Sequence, residues 1–214
     1  MDEFEEILGR AVAHRTAYNK MLAQLDRNSW KRSLVLGWRL MRGGEQYKNN
    51  GRRYQRAIDH LNKAYMGIME TKSKPPEKDE LIRVHLWLGM CLNECHDFQG
   101  TESNSMALKH YELAENYASA LPIGQARHRF LASIWNSVGV ADHHLAISKR
   151  EKEEHLPIPK NATTMYKKAL ALTKDHKDDP FMEILQKIIT SNMGAQSTAV
   201  KVGGGGFQIG GNLW

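Results

Sequence analysis

The pair Leu36-Gly37 recurs as Leu88-Gly89 and again as Val138-Gly139, and this recurrence constrains the fold more than any other feature of the chain. Each pair is followed by a second series: Ala57/Leu61/Ala64, then Ala107/Tyr111/Ala114, then Ala162/Tyr166/Ala169. Residues three and four apart share one face of a helix. Each glycine therefore marks a place where a second helix comes close, and each alanine series marks the helix that does so. Two helices per unit, repeated in register, predict a stack of helical hairpins. Chains of this kind present a surface that holds another molecule and usually make no bonds of their own.

The wider bounds agree. A chain of 214 residues with 41% hydrophobic and 25% charged residues is long enough to bury one good core and polar enough for water. No run approaches the roughly 18 apolar residues that cross a bilayer, so no membrane contact is expected. The start, Met1 to Glu6, is acidic and lacks both a basic segment and an apolar one, which argues against a secretory signal. Cys91 and Cys95 lie four apart in one predicted helix and read as reduced thiols. The expected compartment is cytoplasmic.

Along the chain, residues 1–28 read as an N-terminal capping helix with Phe4, Ile7, Leu8, Ala11 and Val12 at helical spacing. Asn28-Ser29 offers an N-cap for a helix from Trp30. Three repeats follow, at 29–76, 77–121 and 122–175, each one hairpin. The third opens with a long helix from Gln125 to about Glu154 that Pro157 and Pro159 stop, and Asn161 is the expected cap of its partner. Asp178-Asp179-Pro180 is a strong helix start, giving a C-terminal capping helix over 178–193. Residues 194–214 form a tail in which Gly203 to Gly206 read as a flexible linker. No strand is predicted, and the expected class is all-α.

The stretches Ser33-x-x-Leu36-Gly37-x-x-Leu40, His85-x-x-Leu88-Gly89-x-x-Leu92 and Trp135-x-x-Val138-Gly139 resemble the first helix of the tetratricopeptide repeat, and the Ala…Tyr…Ala series resembles its second helix. The resemblance covers residues 30–174. A standard unit has about 34 residues. Here successive glycines at 37, 89 and 139 lie about fifty apart, so the hairpins are extended. What the resemblance implies is a right-handed superhelix of three hairpins between two capping helices. It also implies a concave groove lined by Leu34, Trp38, Met41, Leu86, Met90, Asn136, Val140 and His143. Met and Trp suit an apolar peptide or helix as occupant. Members that clamp a terminal carboxylate use Lys, Asn and Arg at such positions. Leu34, Trp38, Leu86 and Met90 are apolar, and only Asn136 is suitable, so a carboxylate receptor is disfavoured.

Charge is unevenly placed. Between Arg27 and Lys74 stand twelve Lys/Arg against three Asp/Glu, although the whole chain is only +6. Arg32, Arg39, Arg42, Lys48, Arg52, Arg53 and Arg56 are expected to form a basic patch on the first hairpin. Such a patch attracts acidic protein segments or phosphate. Trp30, Tyr47 and Tyr54 lie among these residues, so stacking on single-stranded RNA is the alternative reading. An acidic or amphipathic protein segment is the preferred partner, because no RNA-binding motif is present, and a place within a larger complex fits the same reading.

No catalytic constellation emerges. Adjacent His143 and His144 point about 100° apart on a helix and do not chelate one ion. Cys91, Cys95 and His96 supply at most three ligands, against four in a structural zinc site. Phosphate loops, nucleophile elbows and dinucleotide fingerprints are missing. The chain is therefore expected to be no enzyme and to need no cofactor or metal. Phe207, Ile209, Leu213 and Trp214 put four large apolar residues after the glycine run, which a disordered tail usually lacks. They are expected to dock, either on the chain's own groove or on an adjacent subunit.

Overall fold

The computed structural model describes residues 19, 22–27, 29–46, 51–71, 77–95, 101–150, 160–176 and 178–202. Seven long helices fall within them: α1 Trp30–Gln46, α2 Gly51–Glu70, α3 Lys78–Glu94, α4 Thr101–Ser119, α5 Gln125–Arg150, α6 Lys160–Lys174 and α7 Pro180–Val202. No strand occurs among the described residues, and the class is all-α. Of the predicted N-terminal helix, only Asn19 and Leu22 to Gln24 are described as helical.

Packing follows chain order. The tight pairs are α1 with α2, α3 with α4, and α5 with α6. Between pairs, each new first helix packs on the preceding second helix, α3 on α2, α5 on α4 and α7 on α6. A lighter contact joins successive first helices, α1 to α3, α3 to α5 and α5 to α7. Long-range contacts thus run from neighbour to neighbour, the arrangement that a repeated hairpin produces.

The repeated glycines explain the tight pairs. A Cβ built on Gly89 would lie 2.4 Å from Tyr111 Cε1, and one on Gly139 would lie 2.6 Å from Tyr166 Cε1. On Gly37 it would lie 2.7 Å from Leu61 Cγ. Leu61, Tyr111 and Tyr166 are completely buried, and the alanines on either side of each are buried with them. Gly67 repeats the device in reverse, since a Cβ there would meet Trp30 Cβ at 2.6 Å. Four positions before the third glycine, Trp135 donates from Nε1 to Glu115 of α4 at 2.9 Å, with Lys168 of α6 over its ring at 5.6 Å.

Helix starts follow local chemistry. Ser29 Oγ accepts from the Arg32 backbone N–H at 3.2 Å, which makes it the N-cap of α1. Asp179 Oδ1 accepts from Phe181 N at 3.0 Å and caps α7. Two expectations are corrected. Asn161 does not cap α6, which already starts at Lys160; its Nδ2 donates instead to the Asp142 carboxylate of α5. The last helix continues past 193 to Val202, because one interior glycine costs only about 1 kcal/mol and does not end a helix.

Gly89→Ala is expected to destabilise the fold by about 1–3 kcal/mol, because the ring of Tyr111 has no room to yield. Gly124→Ala is the control, since a Cβ there meets nothing within 4 Å, and it should change stability by less than about 0.5 kcal/mol. Urea denaturation of both variants checks the pair. Equal midpoints would show that the Gly89 contact does not govern the packing.

Candidate interaction surface

The first helices α1, α3 and α5 carry the eight residues that the repeat register assigns to a groove. Leu34, Trp38, Met41, Leu86, Met90, Asn136, Val140 and His143 are all buried, none more than 4% exposed. They do not line an open groove in this structure. They form a closed seam whose links run from one first helix to the next. The Trp38 and Trp87 rings lie 6.4 Å apart, tilted by 41°. Arg83 of α3 stands over Phe130 of α5 at 5.6 Å. Asn192 of α7 donates from Nδ2 to Asn136 Oδ1 of α5 at 3.0 Å.

The middle helix, α3, is buried over every residue from Leu81 to Asn93, including Arg83, His85 and Asn93. That polar load within the core went unread in the sequence. Asn93 stands four residues after Gly89, the same register that yields Met41 and His143, so the repeat pattern itself contained the signal. Among the described residues, Asn93 Oδ1 and Nδ2, Asn136 Nδ2 and Ser133 Oγ have no hydrogen-bond partner. Buried polar groups are normally paired, and Asn104 Oδ1 and Nδ2 on α4 and Trp87 Nε1 on α3 share this condition.

Histidines meet in pairs that sequence spacing did not reveal. His85 Nδ1 lies 3.0 Å from His110 Nδ1, and His85 packs against the rings of Tyr65 at 5.2 Å and Tyr117 at 5.9 Å. Burial, with the neighbouring His110, lowers His85 to about 4, and burial also lowers His110. Both rings are neutral at physiological pH, and one donates to the other. His128 and His176 form a second pair at 2.6 Å. Among the described residues, no three His, Cys, Asp or Glu side chains are placed to hold a metal ion. Cys91 and Cys95 are buried thiols, and burial, with the Glu94 charge, pushes Cys95 up to about 11. This is not a thiol tuned for attack.

The expected basic patch divides in two. Arg32 turns inward and donates to the carbonyls of Leu22 and Leu25, while Arg39 reaches Asn19 Oδ1 at 3.5 Å. Both fasten the preceding helical residues to α1. Arg52 and Arg56 stay exposed on α2 and Arg53 is half-buried. Lys63 and Met66 are exposed as well, and with Arg52, Arg56 and Asp59 they fall on one helical stripe. The side chains of Arg42 and Lys48 lie outside the described residues, as do Phe207, Ile209, Leu213 and Trp214. No described helix is long and apolar enough to cross a membrane. Compared with protein-family models, curated proteins and solved structures, the chain matches none.

His85, His110 and His128, all held below the ordinary histidine value chiefly by burial, contribute to the acid response. A histidine held below its ordinary value keeps fewer protons folded than unfolded. Its contribution is complete above about pH 6.5 and is lost as the pH falls through the window down to about 4. Stability should drop by something on the order of 2 kcal/mol between pH 7 and pH 4.5. His85→Phe should flatten much of that slope in urea titrations, and an unchanged slope would move the effect elsewhere.

Proposed function

We propose that this protein is a non-catalytic adaptor or assembly subunit, a tetratricopeptide-like superhelix of three extended hairpins that binds polypeptide segments. The observation that carries this reading is the seam. Eight residues from three successive hairpins lie in one buried row, and Trp38–Trp87, Arg83–Phe130 and Asn136–Asn192 join the row across the repeats. A long partner that displaced what now covers this row would gain one binding register along several units.

The second contact surface is the α2 stripe, where Arg52, Arg56 and Lys63 face water beside Met66. Cations next to a flexible thioether suit an amphipathic acidic segment, because the charges steer the encounter and methionine adapts to the apolar side. The bonds of Arg32 to the carbonyls of Leu22 and Leu25 take one cation from the surface that RNA would need. That favours a protein partner over nucleic acid. The cytoplasm remains the compartment that fits two buried thiols.

A fluorescent acidic amphipathic peptide and a labelled oligouridine separate the two readings by polarisation titration at several salt concentrations. The peptide should bind more tightly. Arg52→Glu with Arg56→Glu should weaken it by tenfold or more at low salt, with a smaller effect at high salt as screening grows. Tighter oligouridine binding, with an affinity falling steeply with salt, would instead make the chain an RNA-binding repeat.

A further inference from the structure

Each of the first helices α1, α3 and α5 is followed by a second helix that packs tightly against it. Helix α7 takes the place of a fourth first helix, on α6 and more lightly on α5, and no second helix follows it among the described residues. One flank of α7 is left open. Phe181, Ile184 and Ile188 are spaced three and four apart and share that flank. Ile184 is 48% exposed, while Phe181 and Ile188 are half-buried. Ser191, exposed and small, continues the stripe. The outer face beside it is polar, with Lys187 paired to Glu183 at 2.6 Å, so the apolar stripe is a bounded feature of this helix.

Three side chains are too few for an independent partner, since a stable interface takes about 800 Å² from each side. A segment tethered to the same helix needs no such area, because its effective concentration there is about millimolar. The chain supplies one. Helix α7 ends at Val202, and Gly203 to Gly206 follow directly, a length at which tight reversals are common. In the next eight residues Phe207, Ile209 and Leu213 alternate with Gln208 and Asn212, so an extended segment has an apolar side and a polar one. The reach fits. Ile188 stands about 21 Å and Ile184 about 27 Å back along the helix from Val202. A strand-like run from Phe207 covers about 20 Å to Leu213 and about 23 Å to Trp214.

We propose that the chain reverses at Gly203 to Gly206 and that residues 207–214 lie extended and antiparallel along the open flank of α7, with Leu213 at Ile188 and Trp214 over Ile184. Gln208 and Asn212 face water. The last unit of the stack is then a first helix covered by an extended segment, where the three units before it use a second helix. The cover removes the apolar flank from solvent and closes it to a second copy of the chain. This inference goes beyond the adaptor reading and does not depend on what α2 binds.

Photo-crosslinking of the full chain tests it, with p-benzoylphenylalanine in place of Trp214 and the links located by mass spectrometry. The links should fall within the monomer, on the α7 peptide that holds Ile184 to Ser191. Ile184→Glu on the helix and Leu213→Asp in the tail should each lower the yield about tenfold, the effect of losing one buried apolar contact. If Ile184→Glu melts early, Leu213→Asp decides alone, because it leaves every described helix as it is. Links to other helices only, or no links at all, overturn the proposal. So does linking confined to pairs of chains in a mixture of isotopically light and heavy protein, or a yield that Leu213→Asp leaves unchanged.

Discussion

The Tyr111 ring against Gly89, with Tyr166 on Gly139 and Leu61 on Gly37, is the contact on which the rest of the structure depends. It brings the two helices of a hairpin closer than any side chain at the glycine would allow. The pair then offers its other faces to the next pair. Burial of a large ring contributes on the order of 2–3 kcal/mol per side chain, and here each such burial is directional, because only one register lets the ring meet the glycine. The flanking alanines, Ala107 with Ala114 and Ala162 with Ala169, are fully buried and keep the approach close over two turns. Helix order, hairpin pairing and the row of first helices all follow from it.

That geometry makes α3 the centre of the molecule. It touches α2, α4, α5 and α1, and from Leu81 to Asn93 no face is left for water. A helix buried all round is ordinarily hydrophobic all round, yet this one carries Arg83, His85 and Asn93. Each polar group finds a different resolution. Arg83 lies over the Phe130 ring, and His85 gives up its charge and pairs with His110 between two tyrosines. Asn93 is the case that the folded helices do not resolve. A buried amide left unpaired costs about 1–3 kcal/mol, a cost that Asn104 of α4 also carries.

Much of this architecture was legible in the sequence, for a physical reason. Gly89 and Tyr111 contribute to one contact, and each sits in a local pattern with helical spacing, so the pattern alone marks both halves. The caps at Ser29 and Asp179 were legible for the same reason, since capping is a contact over two or three residues. What failed was long-range. Leu34 to His143 were expected to line an open groove, and they are buried; burial depends on chain far away in sequence, which local spacing does not reveal. The His85–His110 and His128–His176 pairs join residues 25 and 48 positions apart with no shared period. Arg32 counted as surface charge, because composition cannot tell an arginine facing water from one that bonds a helix end.

Arginines fasten both ends of the stack in addition to its hydrophobic contacts. A terminal helix has one neighbour instead of two, so it buries less and holds less firmly. Before α1, Arg32 bonds the carbonyls of Leu22 and Leu25, the groups that a helix end leaves unpaired. At the other end, Arg129 of α5 grips Asp179 through two bonds of 2.7 and 2.8 Å while Asp179 caps α7, and the Arg129 guanidinium stands 5.4 Å from the Phe181 ring. Burial alone would raise the Asp179 carboxyl; the bonds and charge of Arg129, with the Gln125 and Phe181 contacts, outweigh it and hold the group below its ordinary value. The fork therefore stays charged and intact at neutral pH. All three hairpins rely on large side chains against glycines, and α7, which buries Met182, Leu185 and Ile189, is oriented in addition by the Arg129 fork. A terminal element opens more readily than the centre. Since α7 reaches the seam through Asn192, the part of the fold best able to yield lies beside the buried row of first helices.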